Sequence, residues 1–497
     1  MPHLCKIALI LIVTVCALPA QETHDHGIPE KLGKVSFPIA CTPSVQADFN
    51  RGIALLHSFA YAPANAAFQK IAAQNPKCAM AHWAIAMTLF HQLWDQLPAN
   101  SVPTATQEIT AAQRIGSSDP REKAYIHAFS LLLENPGTAF AVRNHQYEQS
   151  MRDLAQSNKT DVEAQVFYAL ALLSNAAPTD KTHARQKQAL AILEPLDHSY
   201  PDHPGITHYI IHASDSTELA AGGLPAARKY ALVAPSAPHA LHMPSHIFTR
   251  LGLWQDSISS NLAAAQAARD QHDVGEQLHA MDYLVYAYLQ LGQYDNARHI
   301  LDQLAKMQSL GMSDFKVGYA ATAMPVRYVV ERHQWNETAN LATDPKSPPH
   351  VAAIAVWAHA LGHVRGEQHS EASNEIAALT RYEDQLHQMG NEYWAAQTSI
   401  LRQEILAWLS QSNGDPKQAE SQMRAAADQE DAMEKLPVTP GPIVPAREQL
   451  GELLLQQHRL PEAAQAFKAS LLNAPNRKGA IDGLHAAEKS AAEKSSK

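Results

Sequence analysis

The feature that most constrains the fold is one spacing of residues that occurs near both ends of the chain. A large residue is followed by a small one three positions later, a bulky one four further on, another residue three further on and then a closing proline. The two sets are Tyr61, Ala64, Phe68, Ile71 and Pro76, and Leu460, Ala463, Phe467, Ser470 and Pro475. This spacing is typical of the second helix of a helical hairpin, in which the small residue lets two helices approach closely. The chain is therefore expected to be built from helical hairpins.

Three glycine-marked segments between these ends predict further hairpin turns. They are Gly252-Leu-Trp254, Gly292-Gln-Tyr294-Asp-Asn-Ala297 and Gly222-Gly-Leu224-Pro-Ala-Ala227. Almost all of the remaining sequence has helical periodicity, and strand patterns are absent. We predict an all-α protein, an α-solenoid of tetratricopeptide-like hairpins. Its repeat lengths are irregular, since Gly252 and Gly292 lie 40 residues apart and the usual period is about 34.

The first 20 residues have the composition of a secretory signal peptide. Lys6 precedes an apolar run, and Ala20 is the predicted cleavage point. Lipidation at Cys16 is a weaker alternative, because Val15 is a poor residue at the position before a lipidated cysteine. We expect the mature protein to be exported, to the periplasm or the extracellular space.

The remaining chain divides by composition and helical pattern. The predicted segments are the signal peptide 1–20, an extended arm 21–40, the solenoid 41–488 with its N-terminal (41–200), histidine-rich (201–310) and C-terminal (311–488) repeats, and a flexible tail 489–497.

Cys41 and Cys78 are the only cysteines beyond the leader. In an oxidising compartment two thiols most simply form one disulfide, which stabilises a domain by about 3–4 kcal/mol on a chain-entropy estimate. The alternative is that one thiol binds a metal beside His82.

Charge and motifs exclude several classes of function. The net charge is −10 and no segment is strongly basic, so nucleic acid is not an expected partner. No stretch after the leader is long and apolar enough to span a bilayer. Phosphate-binding loops, nucleophile elbows and dinucleotide fingerprints are absent from the sequence, and no catalytic residue can be assigned.

Histidine is the unusual residue, with 27 copies. His208 with His212 and His242 with His246 form two pairs at i,i+4 spacing, which places both rings of a pair on one face of a helix. The pairs lie 34 residues apart, as equivalent positions in neighbouring hairpins do.

Counting back from the turn glycines extends this set. Positions ten residues before Gly222, Gly252 and Gly292 are His212, His242 and Asp282, and His279 lies one turn from Asp282. Imidazole is a common ligand of Zn and Cu. We predict a candidate Zn or Cu site at His208, His212, His242, His246, His279 and Asp282.

Four nearby residues are candidates for a supporting role around such a site: His203, Asp215, Glu218 and His239. The alternative to a metal site is that all of these residues have only structural roles. The histidines then hydrogen-bond backbone carbonyls and acids at helix contacts, and the two acids cap the following helix.

Residues 436–445 carry four prolines and cannot be helical before Pro445. Such a segment either crosses the concave groove of the array or serves as a plain connector.

Several motifs together resemble a family of exported bacterial tetratricopeptide-repeat proteins of unsettled activity. The matching segments are Phe49-Asn-Arg-Gly52, Asn75-Pro-Lys-Cys78, His203-Pro-Gly205 through His212, His242-Met-Pro-Ser-His246, His279 with Asp282-Tyr-Leu-Val-Tyr286, and Pro440-Gly-Pro442 with Pro445-Ala-Arg-Glu448. The resemblance implies an all-helical solenoid in the cell envelope and adds little about activity.

Two functions follow from these observations. The leading hypothesis is a scaffold whose concave groove binds a protein or peptide segment. The alternative is a Zn or Cu metalloprotein, with a metal-dependent enzyme as one form of it, whose site lies on the histidine-rich repeats.

Overall fold

The computed structural model describes residues 30–94, 97–366 and 371–495, so the predicted signal peptide and most of the predicted arm lie outside the described residues. Within that part of the chain the regular structure is α-helical with two short 3-10 helices, and β-strands are absent. The all-α prediction is confirmed.

The first helices form the N-terminal hairpins. They are α1 (Gln46–His57), α2 (Tyr61–Gln74), α3 (Ala79–Met87), α4 (Val102–Ile115), α5 (Pro120–Leu133), α6 (Phe140–Ser157), α7 (Val162–Ser174) and α8 (Ala184–Ser199).

The histidine-rich part follows. Its helices are α9 (Pro204–Ala213), α10 (Ala220–Val233), α11 (Pro238–His242), α12 (Pro244–Arg250), α13 (Trp254–Asp270), α14 (Val274–Gln290) and α15 (Tyr294–Leu304).

The C-terminal helices complete the unit. They are α16 (Phe315–Val330), α17 (Pro349–Arg365), α18 (Ala372–Gln388), α19 (Glu392–Ser412), α20 (Pro416–Asp431), α21 (Ala446–Gln456), α22 (Leu460–Asn473) and α23 (Lys478–Ser495). The 3-10 helices span Pro43–Val45 and Trp335–Asn340.

The spacing that predicted the hairpins corresponds to tight contacts between their two helices. A Cβ added at Gly52 of α1 would lie 2.4 Å from the ring of Phe68 in α2. A Cβ at Gly451 of α21 would lie 2.6 Å from the ring of Phe467 in α22. Glycine on the first helix and a buried aromatic ring on the second therefore set how closely the two helices pack, as the tetratricopeptide pattern requires.

Two of the three predicted turn glycines lie in turns. Gly252 has φ +65° and Gly292 has φ +67°, in the left-handed region that glycine tolerates best. Gly222 is different, because it lies inside α10 and not in a turn. The sequence Gly-Gly-Leu-Pro-Ala-Ala is accommodated in the first turns of that helix.

Packing between helices brings distant parts of the sequence to the histidine-rich segment. Consecutive helices pack as hairpins, with α1 also against α9, α11 against both α13 and α14, and α12 against α9. The helices α9, α11, α12 and α14 are therefore neighbours, and their facing sides are buried.

The proline-rich segment lies over α14 and α16. Tyr283 of α14 donates a hydrogen bond to the carbonyl of Thr439 (3.2 Å), and Arg327 of α16 donates to the carbonyls of Gly441 (2.7 Å) and Pro442 (2.8 Å). The chain therefore covers these two helices with its own residues.

The two ends of the described chain are also tied to the helices. Residues 31–40 contain no helix, and Phe37 in that stretch is fully buried. Cys41 and Cys78 form the predicted disulfide. At the other end α23 continues to Ser495, past the predicted start of the flexible tail, because the residues after Lys489 are mostly good helix formers.

Among the described residues, none of the helices combines the length and apolarity that a membrane crossing requires.

Candidate functional site

Helix α9 presents the first histidine pair. His203 caps the helix, since its Nδ1 accepts a hydrogen bond from the backbone N–H of Ile206 (3.2 Å), and Pro204 occupies the first helical position. His208 and His212 follow on the buried face, with ring centroids 4.7 Å apart.

The second pair straddles two short helices. Helix α11 ends at His242 and α12 begins at Pro244, which lacks the N–H that a continuous helix would use. Met243 between them keeps helical backbone angles (φ −52°, ψ −36°). The i,i+4 relation of His242 and His246 therefore survives the break.

Helix α14 supplies the last of these histidines. Asp273 caps the helix, since its carboxylate accepts a hydrogen bond from the backbone N–H of Glu276. Glu276 and His279 are one turn apart and both are buried.

The structure gathers six histidines from these helices into two groups of three. Group A consists of His208, His212 and His239, and group B consists of His242, His246 and His279. Within each group one ligand-type atom of every residue lies within 4.8 Å of the others.

Group A contains three buried nitrogen atoms without a partner. The Nε2 atoms of His208, His212 and His239 are inaccessible to solvent and have no hydrogen-bond partner. A buried polar atom left unsatisfied costs free energy, so such atoms normally have a partner. Three of them within one small space point to a shared ligand.

The other ring nitrogens of His208 and His239 assign the tautomers of these two rings. His208 Nδ1 lies 2.6 Å from the carbonyl oxygen of His57, and His239 Nδ1 lies 3.0 Å from a carboxylate oxygen of Glu276. Both acceptors require a proton on Nδ1, which leaves the Nε2 lone pair directed into the group. Lys316 forms an ion pair with the same Glu276.

Two rings of group B are held through their Nδ1 atoms in the same way. His242 Nδ1 lies 2.6 Å from Asn261 Oδ1, and His246 Nδ1 lies 2.9 Å from Asp215 Oδ2. The amide nitrogen of Asn261 donates to the carbonyl of Ser257, which fixes Oδ1 as the atom that faces His242. Both Nδ1 atoms are donors, so both Nε2 atoms carry lone pairs.

Those two Nε2 atoms lie 3.0 Å apart. Two lone pairs at this distance repel each other unless a proton or a cation lies between them. The separation is close to that of two ligand nitrogens around one ion, each at roughly 2.0–2.1 Å from it.

Burial keeps five of these six rings neutral. It lowers the pKa of His208, with a further effect from His239, and that of His212, with a further effect from His208. Burial likewise lowers the pKa of His242 and His279, and it lowers that of His246 to about 4 although Asp215 opposes the change. Neutral imidazole is the form that binds metals.

A third group also consists of residue types that bind metals: His57, Glu163 and His203. Unlike group A, it is held together by hydrogen bonds between its own members. Glu163 accepts hydrogen bonds from His57 Nε2 (2.8 Å) and His203 Nε2 (3.0 Å), and Tyr209 bonds to the other nitrogen of His57 (2.9 Å). Burial opposes ionisation of Glu163, but the two histidines hold its pKa at about 2. This group is a satisfied hydrogen-bond network that supports α9 and group A.

The structure places two of the predicted residues differently from expectation. Asp282 belongs to neither group: its Oδ1 pairs with Arg327 Nε at 3.0 Å, and both side chains are fully buried. Three positions past His279 turn a side chain by about 60° around the helix axis. That rotation directs Asp282 towards α16. His239, expected to support the site, is itself a member of group A.

The remaining supporting candidates take different roles. Asp215 contacts His246 and also binds Arg250 and Lys435. Glu218 pairs with Lys187 and His183, and His203 pairs with Glu163. Glu276 and Asn261 were not found from the sequence, because nothing in their spacing relates them to the histidines.

No protein-family model matches the chain. No curated protein matches it in sequence either. Solved structures with a related arrangement of helices include the human IFIT1 dimer with m7Gppp-AAAA, at 11% identity and a TM-score of 0.37, covering 83% of this chain and 90% of that chain. They also include yeast Tom70, at 11% identity and a TM-score of 0.32, covering 91% of this chain and 96% of that chain. These likenesses say nothing about the function of this chain.

Proposed function

We propose that this protein is a metalloprotein that binds transition-metal ions through the histidines of groups A and B. The observation that carries the proposal is the trio of buried, unpartnered Nε2 atoms on His208, His212 and His239. A metal ion is a ligand that can satisfy three neighbouring imidazole nitrogens at once.

The surroundings of the rings support the same conclusion. Metal-binding histidines usually donate their second N–H to a carbonyl, a carboxylate or a similar acceptor, which fixes the ring and raises its basicity. The acceptors here are the carbonyl of His57, the carboxylates of Glu276 and Asp215, and the amide of Asn261.

The number of protein ligands in each group also bears on whether a bound metal could be catalytic. Three protein ligands leave at least one coordination position for an exogenous ligand, which is the arrangement of catalytic sites, whereas structural zinc sites have four. Zn and Cu both suit imidazole. An enzymatic role for the metal is therefore part of the proposal.

Elemental analysis by mass spectrometry tests the proposal. The protein is purified without a polyhistidine tag and compared with His208→Ala/His242→Ala, which removes one ligand from each group. The matched control is His198→Ala/His485→Ala, which removes two exposed imidazoles. We expect near-stoichiometric Zn or Cu in the wild type and the control, and a loss of metal from a variant whose circular dichroism is unchanged.

Equal metal content in all three proteins contradicts the proposal, as does a wild type that stays free of metal after incubation with Zn and Cu. In either case groups A and B are structural.

We also propose that the chain is exported after removal of residues 1–20. The leader composition and the Cys41–Cys78 disulfide support this, since disulfides persist in oxidising compartments. Amino-terminal sequencing of the protein from a fractionated host tests it: a mature chain that starts at Gln21 is expected, and an intact leader contradicts the proposal.

The peptide-binding scaffold predicted from the sequence stays a prediction. Residues 437–442 already occupy the surface of α14 and α16, so a partner segment would need another face of the array.

A further inference from the structure

The two histidine groups adjoin each other. Across the boundary, the ring centroids of His212 and His246 lie 5.9 Å apart, and those of His239 and His242 lie 6.0 Å apart. Within group A the separations run from 4.7 to 6.4 Å. The rings of different groups are thus no farther apart than rings that would share one ion. Two ions bound here are close neighbours, as in two-metal sites.

The ligands of both groups include no anionic side chain. Among the described residues each group consists of imidazoles alone, without a carboxylate or a thiolate. The expected exception, Asp282, is paired with Arg327. The ligands therefore add no negative charge to the metal pair.

The carboxylates behind the rings are already neutralised. Glu276, which holds His239, is paired with Lys316. Asp215, which holds His246, is paired with both Arg250 and Lys435. Arg250 is in turn paired with Glu434, so three negative charges face three positive ones in the layer around the site and leave no negative charge over.

This charge balance selects between ions. Coulomb repulsion scales with the product of the charges, so it is four times larger between two divalent ions than between two monovalent ions at the same distance. Among the transition metals that imidazole suits, copper has a stable monovalent state. A buried, anion-free site for two adjacent ions therefore favours Cu(I) over Zn(II).

We infer that groups A and B together hold a pair of Cu(I) ions that acts as one two-electron centre, with dioxygen as the small ligand that bridges it. The inference rests on the proposed function and adds the ion, the number of ions and the class of substrate.

The electron balance is complete without another reactant. Each Cu(I) gives up one electron, and dioxygen accepts the two and becomes a bound peroxide dianion with its O–O bond retained. No proton moves. The dianion supplies the negative charge that the protein ligands lack, so the oxidised pair is balanced only while the bridge is in place.

The experiment loads the full chain with Cu(I) under anaerobic conditions, determines the copper content, and then admits a measured amount of dioxygen. We expect two Cu(I) per chain, no displacement by excess Zn(II), and one dioxygen consumed per two copper ions. The oxidised protein should give no Cu(II) electron paramagnetic resonance signal, because one bridging anion couples the two spins.

A variant separates a pair from two independent sites. His279→Ala removes a ligand from group B alone, and it should bind one copper that gives a normal Cu(II) signal after oxidation. His485→Ala, on the exposed surface, should behave as the wild type.

The unfavourable outcomes are distinct. One copper per chain in the wild type, displacement of Cu(I) by Zn(II), or two uncoupled Cu(II) signals would each overturn the inference and leave the proposed function standing. Failure to bind any transition metal would overturn both.

Discussion

His242 and His246 direct their Nε2 atoms at each other across 3.0 Å, although Pro244 interrupts the helix between them. Helical backbone angles at Met243 preserve the i,i+4 geometry, and Asn261 and Asp215 hold the far sides of the two rings. The two rings are thus held at their far sides, which keeps the two Nε2 atoms close together.

Removal of metal is expected to lower the thermal unfolding midpoint. An ion that binds only the folded chain stabilises it by about 2.7 kcal/mol when its free concentration is 100 times the dissociation constant. Calorimetry before and after chelation measures this. The His208→Ala/His242→Ala variant should show no such difference, and a midpoint insensitive to chelation in metal-containing protein contradicts the prediction.

Asn261→Ala is expected to weaken metal binding without removing a ligand. The substitution deletes the acceptor that fixes the ring of His242, and losses of such supporting contacts typically weaken affinity by about 10–100-fold. Competition with a chromophoric chelator measures the change. Asn296→Ala, on the exposed face of α15, is the control, and equal affinities of the two variants would show that the Asn261 contact is immaterial.

Asp282→Asn is expected to leave the metal content unchanged and to lower stability. The carboxylate neutralises Arg327 in a fully buried pair, and breaking such a pair typically costs about 3–5 kcal/mol. Urea unfolding and elemental analysis on the same preparation separate the two effects. Loss of metal at unchanged stability would instead make Asp282 a ligand.

Glu404 is expected to make a contribution to stability that falls as pH rises. Burial, and then the nearby Glu430, raise the pKa of Glu404 well above its usual 4.5. The unfolded chain loses this proton near its ordinary pKa while the folded chain keeps it. The stabilisation is therefore complete below about pH 4.5 and is lost progressively above it.

Glu404→Gln removes the titration and keeps the shape of the protonated acid. Its unfolding midpoint should exceed that of the wild type by an amount that grows between pH 5 and pH 8. A constant difference across that range would mean that Glu404 is ionised in the folded protein.

Gly451→Ala and Gly222→Ala are expected to have opposite effects. A Cβ at Gly451 would meet the ring of Phe467 at 2.6 Å, and such overpacking typically costs about 1–3 kcal/mol. A Cβ at Gly222, inside α10, would meet no atom within 4 Å, so alanine should stabilise that helix by up to about 1 kcal/mol. Chemical denaturation compares them, and a neutral Gly451→Ala would remove the argument for tight helix packing there.

The helices and their hairpin pairing could be read from the sequence because both depend on local spacing. The period of 3.6 residues places apolar residues on one face, and the glycine and aromatic positions recur at fixed offsets within a hairpin. The same locality explains why the pairs His208/His212 and His242/His246 were found, since residues four apart share a helical face. The misplacement of Gly222 shows the limit of this reasoning: a double glycine resembles a turn until the helix around it is known.

The composition of the site was decided by tertiary structure. His239 joins group A, Asp282 turns to Arg327, and the acceptors on His57, Asn261 and Glu276 come from helices up to about 150 residues away. Local spacing fixes the direction of a side chain around its own helix, but which helix it faces depends on packing between segments far apart in the chain. The sequence by itself therefore determined the helices and the paired histidines. The packing of α1, α9, α11, α12, α13 and α14 decided that six of the histidines form two adjoining groups.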